Sequence, residues 1–139
     1  MEAGLGAMDL PEAGDLDWTP EAAMDDVYRI NDLAYGMDDA PFQRAGVTDA
    51  GGAVLYAARA DGEIASALAV LDVDGDACVS VVGTLPQARG RGLAWRLMGC
   101  ALRDARERGM TGTSLQATAA GEPVYLRLGY TIPFRFGMW

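Results

Sequence analysis

The chain has 139 residues, a mass of 14.7 kDa, a net charge of −9, and a composition that is 50% hydrophobic. That length suits a single domain with a real core, here expected to span residues 1–139, and the apolar content excludes wholesale disorder. Histidine and lysine are absent and all 11 basic residues are arginine, which excludes a Ser–His or Cys–His catalytic pair, a histidine-ligated metal and a Walker-type lysine.

No uninterrupted apolar stretch approaches the roughly 20 residues needed to span a bilayer, and no basic segment followed by an apolar one opens the chain. No membrane partner and a cytoplasmic location are therefore expected. Cys78 and Cys100 lack C-x-x-C spacing and read as buried free thiols, so no metal site is expected. Charge is unevenly spread: residues 1–50 hold 12 acidic and 2 basic side chains, whereas residues 89–108 hold 6 arginines against Asp104 and Glu107. An acidic chain argues against nucleic acid as a partner, because phosphate contacts dominate that affinity. A local arginine cluster around a glycine turn suits one compact polyanion instead. Arg96, Arg103 and Glu107 read more simply as the solvated face of a helix.

Residues 1–20 are rich in Gly, Asp, Glu and Pro, and Ala7 to Leu10 is expected as a short edge strand. Thr19-Pro20-Glu21 reads as a helix start, with Thr19 as N-cap and Pro20 at the first helical position. The helix should run to about Tyr35 and stop at Gly36, with Ala23, Val27, Ile30 and Ala34 on its buried face. Met37 to Gln43 suggests a short second helix before the Gly51-Gly52 break. Three strands follow: Ala53 to Ala60, Ile64 to Val73 and Ala77 to Thr84, joined by turns at Asp61-Gly62 and Asp74-Gly75-Asp76.

A helix is predicted from about Gly92 to Arg108, closed by Gly109, with Ala94, Met98, Ala101, Leu102 and Ala105 as its buried stripe. Thr113 to Thr118 reads as a strand, Glu122 to Leu128 as a short helix capped by Gly129, and Tyr130 to Trp139 as a final strand or strand pair. Strand, helix and strand in succession imply one parallel crossover. The fold class is thus α/β (α+β): a mixed, mostly antiparallel sheet flanked by helices, with the strands near Thr84 and Ser114 as parallel neighbours.

The segment from Cys78 to Ala94 carries the chemistry. An apolar strand leads through Pro86 into Arg89-Gly90-Arg91-Gly92-Leu93-Ala94 and then into the helix. Glycines let a ligand approach the backbone, and the first N–H groups of a helix favour a phosphate with the positive end of the macrodipole behind them.

This run, an R-x-x-G-x-A sequence with its arginine three residues after a proline, resembles the pyrophosphate loop of the GNAT superfamily of N-acetyltransferases. A second register, Gln87-x-x-Gly90-x-Gly92, also fits but loses the proline spacing. Leu115-Gln116-Ala117-Thr118 followed by Tyr125-Leu126-Arg127-Leu128-Gly129-Tyr130 resembles the family's fifth strand and its Tyr-x-x-x-Gly-aromatic helix. The resemblance spans about Ala53 to Trp139, the expected acetyl-CoA-binding core, and more loosely the Asn31-Asp32-Leu33-Ala34-Tyr35-Gly36 helix end, with residues 1–50 as an acidic, helical amino-terminal part.

The resemblance implies acetyl-CoA as co-substrate and transfer of its acetyl group to an amine. Backbone amides of Arg89, Gly90, Arg91, Gly92, Leu93 and Ala94 would bind the pyrophosphate. Val82, Gly83 and Thr84 would pair with the pantetheine arm and polarise the acetyl carbonyl. Thr118 stands where relatives often carry an asparagine near the pantetheine, and Tyr125 matches the proton donor to the departing thiolate. The strand from Cys78 to Val82 lacks the carboxylate that some relatives use as general base. Asp72, Asp74, Glu122, a water chain or the carboxylate of Trp139 stay open for that role. The acceptor is a small-molecule or peptide amine, and the acidic residues 1–50 lean toward a cationic one. The short ends suggest half of a tandem pair or a homodimer. A degenerate acyl-CoA-binding module, acting as sensor without turnover, is the alternative.

Overall fold

The computed structural model describes residues 1–37, 39–41, 51–133 and 135. Its elements are β1 (Glu2–Gly4), β2 (Asp17–Thr19), α1 (Met24–Ala34), β3 (Val54–Ala60), β4 (Glu63–Val73), β5 (Asp76–Thr84), α2 (Leu93–Glu107), β6 (Gly112–Leu115) and α3 (Glu122–Leu128). Period-two alternation decides the layers. Tyr56, Ala58, Leu68, Val70, Ala77 and Val79 face α2 and pack on Leu97, Met98, Ala101 and Leu102. Leu55, Ala57, Ala65, Ala67 and Ala69 point the other way, onto Val27 and Ile30 of α1. The result is a six-stranded sheet, in the order β1-β6-β5-β4-β3-β2, with a helix on each face.

The central meander forms where the turn chemistry puts it. Asp61 and Gly62 have φ of 54° and 82°, and Asp74 and Gly75 have φ of 50° and 82°. Both hairpins therefore use the type I′ geometry that matches strand twist. β5 and β6 pair in parallel, from Asp76 opposite Gly112 to Val79 opposite Leu115, with α2 as the crossover. The parallel crossover and the mixed, mostly antiparallel sheet are as expected.

Three local expectations are corrected. The edge strand is Glu2–Gly4 rather than Ala7 to Leu10; it pairs with β6, and a 3-10 turn at Leu5–Ala7 follows it. Thr19 ends a strand instead of capping a helix: Asp17–Thr19 pair with β3, Glu21 bridges Leu55, and α1 begins at Met24 with Ala23 as N-cap. Backbone bonds to the open edge of β3 outweigh the local helix-start signal, and the Thr19 hydroxyl accepts the Glu21 N–H, at 3.1 Å. β6 stops at Leu115, three residues earlier than expected, because β5 turns away from it there. In the final segment Thr131 makes a single bridge to Glu2, and residues 134 and 136–139 lie outside the described residues, as do residues 38, 42 and 43 of the helix expected at Met37 to Gln43.

β1 and β2 occupy opposite edges of the sheet, so residues 5–16 must cross from one edge to the other, and they do so over α2. Arg96, Arg103 and Arg106, seven and three residues apart, fall on one side of that helix. Arg96 pairs with Asp15 at 2.9 Å, Arg103 donates to the Pro11 carbonyl at 2.9 Å, and Arg106 donates to the carbonyls of Leu5 and Met8. Arg108 instead grips Asp72 through two bonds of 2.7 and 3.0 Å. Arg96, Arg103 and Arg106, which from sequence form either a polyanion site or a solvated face, bind the chain's own amino-terminal segment, whereas Arg108 ties α2 to β4.

Pro11 lies so close to α2 that a Cβ at Gly99 would sit 2.7 Å from the Pro11 carbonyl oxygen. A Gly-to-Ala change inside a helix ordinarily stabilises by roughly 0.5–1 kcal/mol. Overpacking against backbone costs about 1–3 kcal/mol, so here the sign should reverse. We expect Gly99→Ala to lower the thermal midpoint by a few degrees, as read by calorimetry; a rise would mean that the strap does not press on α2.

Candidate active site

The site begins with a defect in β5. Ala67 of β4 lies opposite Gly83 and Ala69 opposite Ser80, so Val81 and Val82 share the space facing Leu68. This is a bulge, and it holds the β-branched Val81 at φ 48°, a conformation costing about 1–3 kcal/mol. Ser66 secures the strand beyond it: its hydroxyl donates to the Gly83 carbonyl at 3.0 Å and accepts from the Thr84 hydroxyl at 3.0 Å. On the other face α1 comes so near that a Cβ on Gly83 would lie 3.1 Å from the Ala34 methyl.

Past Val79 and Leu115 the two parallel strands no longer pair, and a cleft of about 870 Å³ opens there. Its floor is Val82, Gly83 and Thr84. One wall is the turn after Pro86, where Gly90 and Gly92 have φ of 81° and 71°. Nothing lies within 4 Å of where their Cβ atoms would be, and no side chain caps α2, whose N-cap is Gly92. The start of α2 is thus bare toward the cleft, which suits an anion.

Of the residues singled out from sequence, Val82, Gly83, Thr84, Arg89, Gly90, Gly92, Leu93, Ala94, Thr118 and Tyr125 all line this one cleft. Arg91 does not. Its guanidinium meets Asp61 at 3.1 Å beside a neighbouring depression of about 300 Å³. Arg89 donates to the Ala34 carbonyl at the end of α1.

Tyr125 projects from α3 and is 7% exposed; its ring meets that of Tyr130 edge-on, with centroids 6.1 Å apart. The Tyr130 hydroxyl is fixed in turn by Thr113, at 2.8 Å, so α3 is anchored to β6 through the residue after its glycine cap. Burial, with a smaller contribution from Tyr35, pushes the Tyr125 hydroxyl up to about 12. It is therefore a proton-bearing group at neutral pH.

The fold matches known proteins. An acetyltransferase (GNAT) domain matches residues 17–132. The chain belongs to the GNAT family of acetyltransferases. A GCN5-related N-acetyltransferase from Kribbella flavida superposes with a TM-score of 0.69 at 26% identity, over 94% of this chain and 52% of that one, so the chain spans about half its length. A predicted acetyltransferase from Clostridium acetobutylicum, solved with acetyl-CoA, gives 0.65 at 18% identity, over 89% and 95% of the two chains. A ribosomal-protein-alanine N-acetyltransferase from Brucella melitensis gives 0.68 at 18%, over 89% and 97%. At 18% identity the likeness is one of fold. No curated protein matches the chain in sequence.

Within this GNAT fold, several cleft residues escaped sequence reasoning. Leu33 and Tyr35 reach it from the end of α1, and Arg127 lays its guanidinium 4.8 Å from the Trp95 ring centre across α3 and α2. For Leu33 and Tyr35 the available signal is the loose likeness of the Asn31 to Gly36 helix end to the family, and for Arg127 its neighbourhood to Gly129, neither of which assigns a role. Among the described residues no cluster of Cys, Asp or Glu could hold a metal, and no helix is long and apolar enough to cross a membrane. Asp72 and Glu122, two carboxylates considered as bases, are tied to Arg108 and to Arg135. Asp74 sits in a hairpin turn, and none of the three lines the cleft.

The Tyr125 shift has a measurable sign. An unfolded phenol releases its proton near pH 10, whereas the folded chain keeps this one to about pH 12. The folded state thus binds more protons between those values, and stability falls as pH rises through them. Urea unfolding from pH 9 to 11.5 should show a shallower loss for Tyr125→Phe than for the parent; equal slopes would mean the hydroxyl is hydrated.

Proposed function

We propose that the protein transfers the acetyl group of acetyl-CoA to an amine by direct attack. The observation that carries this reading is the meeting, in one cleft, of the bulged strand end, the bare helix start and the buried Tyr125 hydroxyl. The pyrophosphate would lie over residues 89–94, where two glycines leave open space and no side chain caps the start of α2. The pantetheine arm would run along Val82, Gly83 and Thr84 beside Thr118, in the gap that β6 vacates. There backbone amides would stabilise the oxyanion formed when the amine attacks the thioester.

Tyr125 acts as general acid in this scheme. Its proton passes to sulfur as the carbon–sulfur bond breaks, and the proton lost by nitrogen restores the phenol, so the reaction balances without a further base. Its raised pKa makes it a reluctant donor, so positioning supplies much of the effect. The amine enters neutral, and turnover rises with pH until the acceptor is fully deprotonated. The acceptor is a small-molecule or peptide amine, and the location is the cytoplasm.

Two variants separate binding from chemistry. Gly92→Val puts a strained side chain where the phosphate approaches, and CoA affinity by calorimetry should fall at least about tenfold while helix content by circular dichroism persists. Undiminished binding would move the pyrophosphate elsewhere. Tyr125→Phe removes one oxygen from a packed ring, so acetyl-CoA turnover should fall by at least roughly tenfold with CoA affinity within a few-fold. Unchanged turnover would take Tyr125 out of the mechanism, and a parent that binds CoA but acetylates no amine would mark a binding module.

A further inference from the structure

We propose, building on the acetyl-transfer reading, that Tyr35 positions the incoming amine beside the acetyl group, and that the acceptor is a primary amine with an apolar body. Tyr35 caps the carboxyl end of α1, and its hydroxyl donates to the Val82 carbonyl at 3.0 Å. That carbonyl belongs to the bulge of β5, where the thioester is assigned. A phenol has one hydrogen and two lone pairs. With its hydrogen committed to Val82, the Tyr35 oxygen offers the cleft only acceptor capacity. The group it takes is an N–H or O–H donor, as a neutral amine supplies.

The placement is held by packing. Ala34 abuts Gly83, and Arg89 of the glycine turn donates to the Ala34 carbonyl, so the end of α1 is tied to both parts of the proposed co-substrate site. Tyr125 lines the cleft from α3 and feels Tyr35 electrostatically. Two phenols from different helices thus bracket the strand end with opposite duties: Tyr125 gives a proton to sulfur, and Tyr35 keeps its hydrogen and receives the nitrogen's hydrogen bond. The carbon–nitrogen bond forms first, the carbon–sulfur bond then breaks as the oxyanion collapses and Tyr125 protonates the sulfur, and the proton lost by nitrogen returns to Tyr125.

The acceptor class follows from the same wall. What the acidic amino-terminal half brings to the cleft, among the described residues, is Leu33, Ala34, Tyr35 and Gly36, none of them charged. Leu33 and Tyr35 are each 48% exposed, forming an apolar ledge beside the Tyr35 hydroxyl. An arylalkylamine matches that ledge better than a polyamine, whose second charge would meet no carboxylate among the described residues that line the cleft.

The test is steady-state kinetics of the full chain with acetyl-CoA and either 2-phenylethylamine or spermidine, with CoA affinity measured in parallel. Loss of one neutral hydrogen bond should lower kcat/KM for 2-phenylethylamine by roughly 3- to 10-fold in Tyr35→Phe, mainly through KM. The KM for acetyl-CoA and the Kd for CoA should stay within about twofold, and spermidine should be the poorer acceptor for the parent. An unchanged amine KM, an equal loss of CoA affinity, a preference for spermidine or transfer to neither amine would each overturn the proposal. The acetyltransferase reading is judged separately: it falls if the parent fails to bind CoA, and it stands if the parent acetylates an amine while Tyr35→Phe behaves like the parent.

Discussion

The cleft exists because β5 carries one residue too many opposite β4. The extra residue at Val81–Val82 turns the strand out of register, and pairing with β6 ends at Val79. A regular β5 would continue alongside β6 past Val79 and narrow the gap. The conformation is unfavourable for a valine, and its surroundings hold it there. Ser66 fixes the strand beyond the bulge, α1 presses on Gly83, and the Leu85 N–H bonds the Ala65 carbonyl at 2.8 Å. The strained backbone and the proposed reacting groups coincide.

Arginine serves two different purposes along α2. At its start, Arg89 stands in the cleft wall and the glycines expose the backbone; further along, Arg96, Arg103 and Arg106 hold the crossing amino-terminal segment. Their contacts to carbonyls are hydrogen bonds to a charged donor, worth about 1.5–3 kcal/mol where water is excluded. The guanidinium suits this role, since its several N–H groups reach two carbonyls at once, as Arg106 does with Leu5 and Met8. Charge counting by sequence window could not separate these uses, because the distinguishing partner lies some 80 to 100 residues away.

Tyrosines divide in the same way. Tyr56 joins Asp104 and Arg108 in a network between β3 and α2, and Tyr130 locks α3 to β6 through Thr113. Both are structural. Tyr125 is left facing the cleft; its phenol is protonated at neutral pH as any tyrosine is, and burial extends that into the alkaline range. Only Tyr125 stood out in sequence, through the glycine and aromatic that follow it at fixed spacing. Tyr35 carried no comparable signal, since its partner, Val82, is 47 residues on.

The features legible in the sequence are those decided by a residue and its near neighbours. Asp-Gly pairs fix the hairpins by their positive φ, apolar periodicity sets α2, and the glycine turn after Pro86 marks the bare helix start. The cleft residues found this way all belong to such local signals. The tertiary structure decided what depends on a distant backbone: Thr19 became strand because the edge of β3 was open, β6 ended where β5 swung away, and three arginines turned inward to a strap. Each outcome turned on a hydrogen-bonding group satisfied across the fold. A local propensity of a few tenths of a kcal/mol does not withstand the roughly 1–3 kcal/mol of an unpaired buried donor or acceptor.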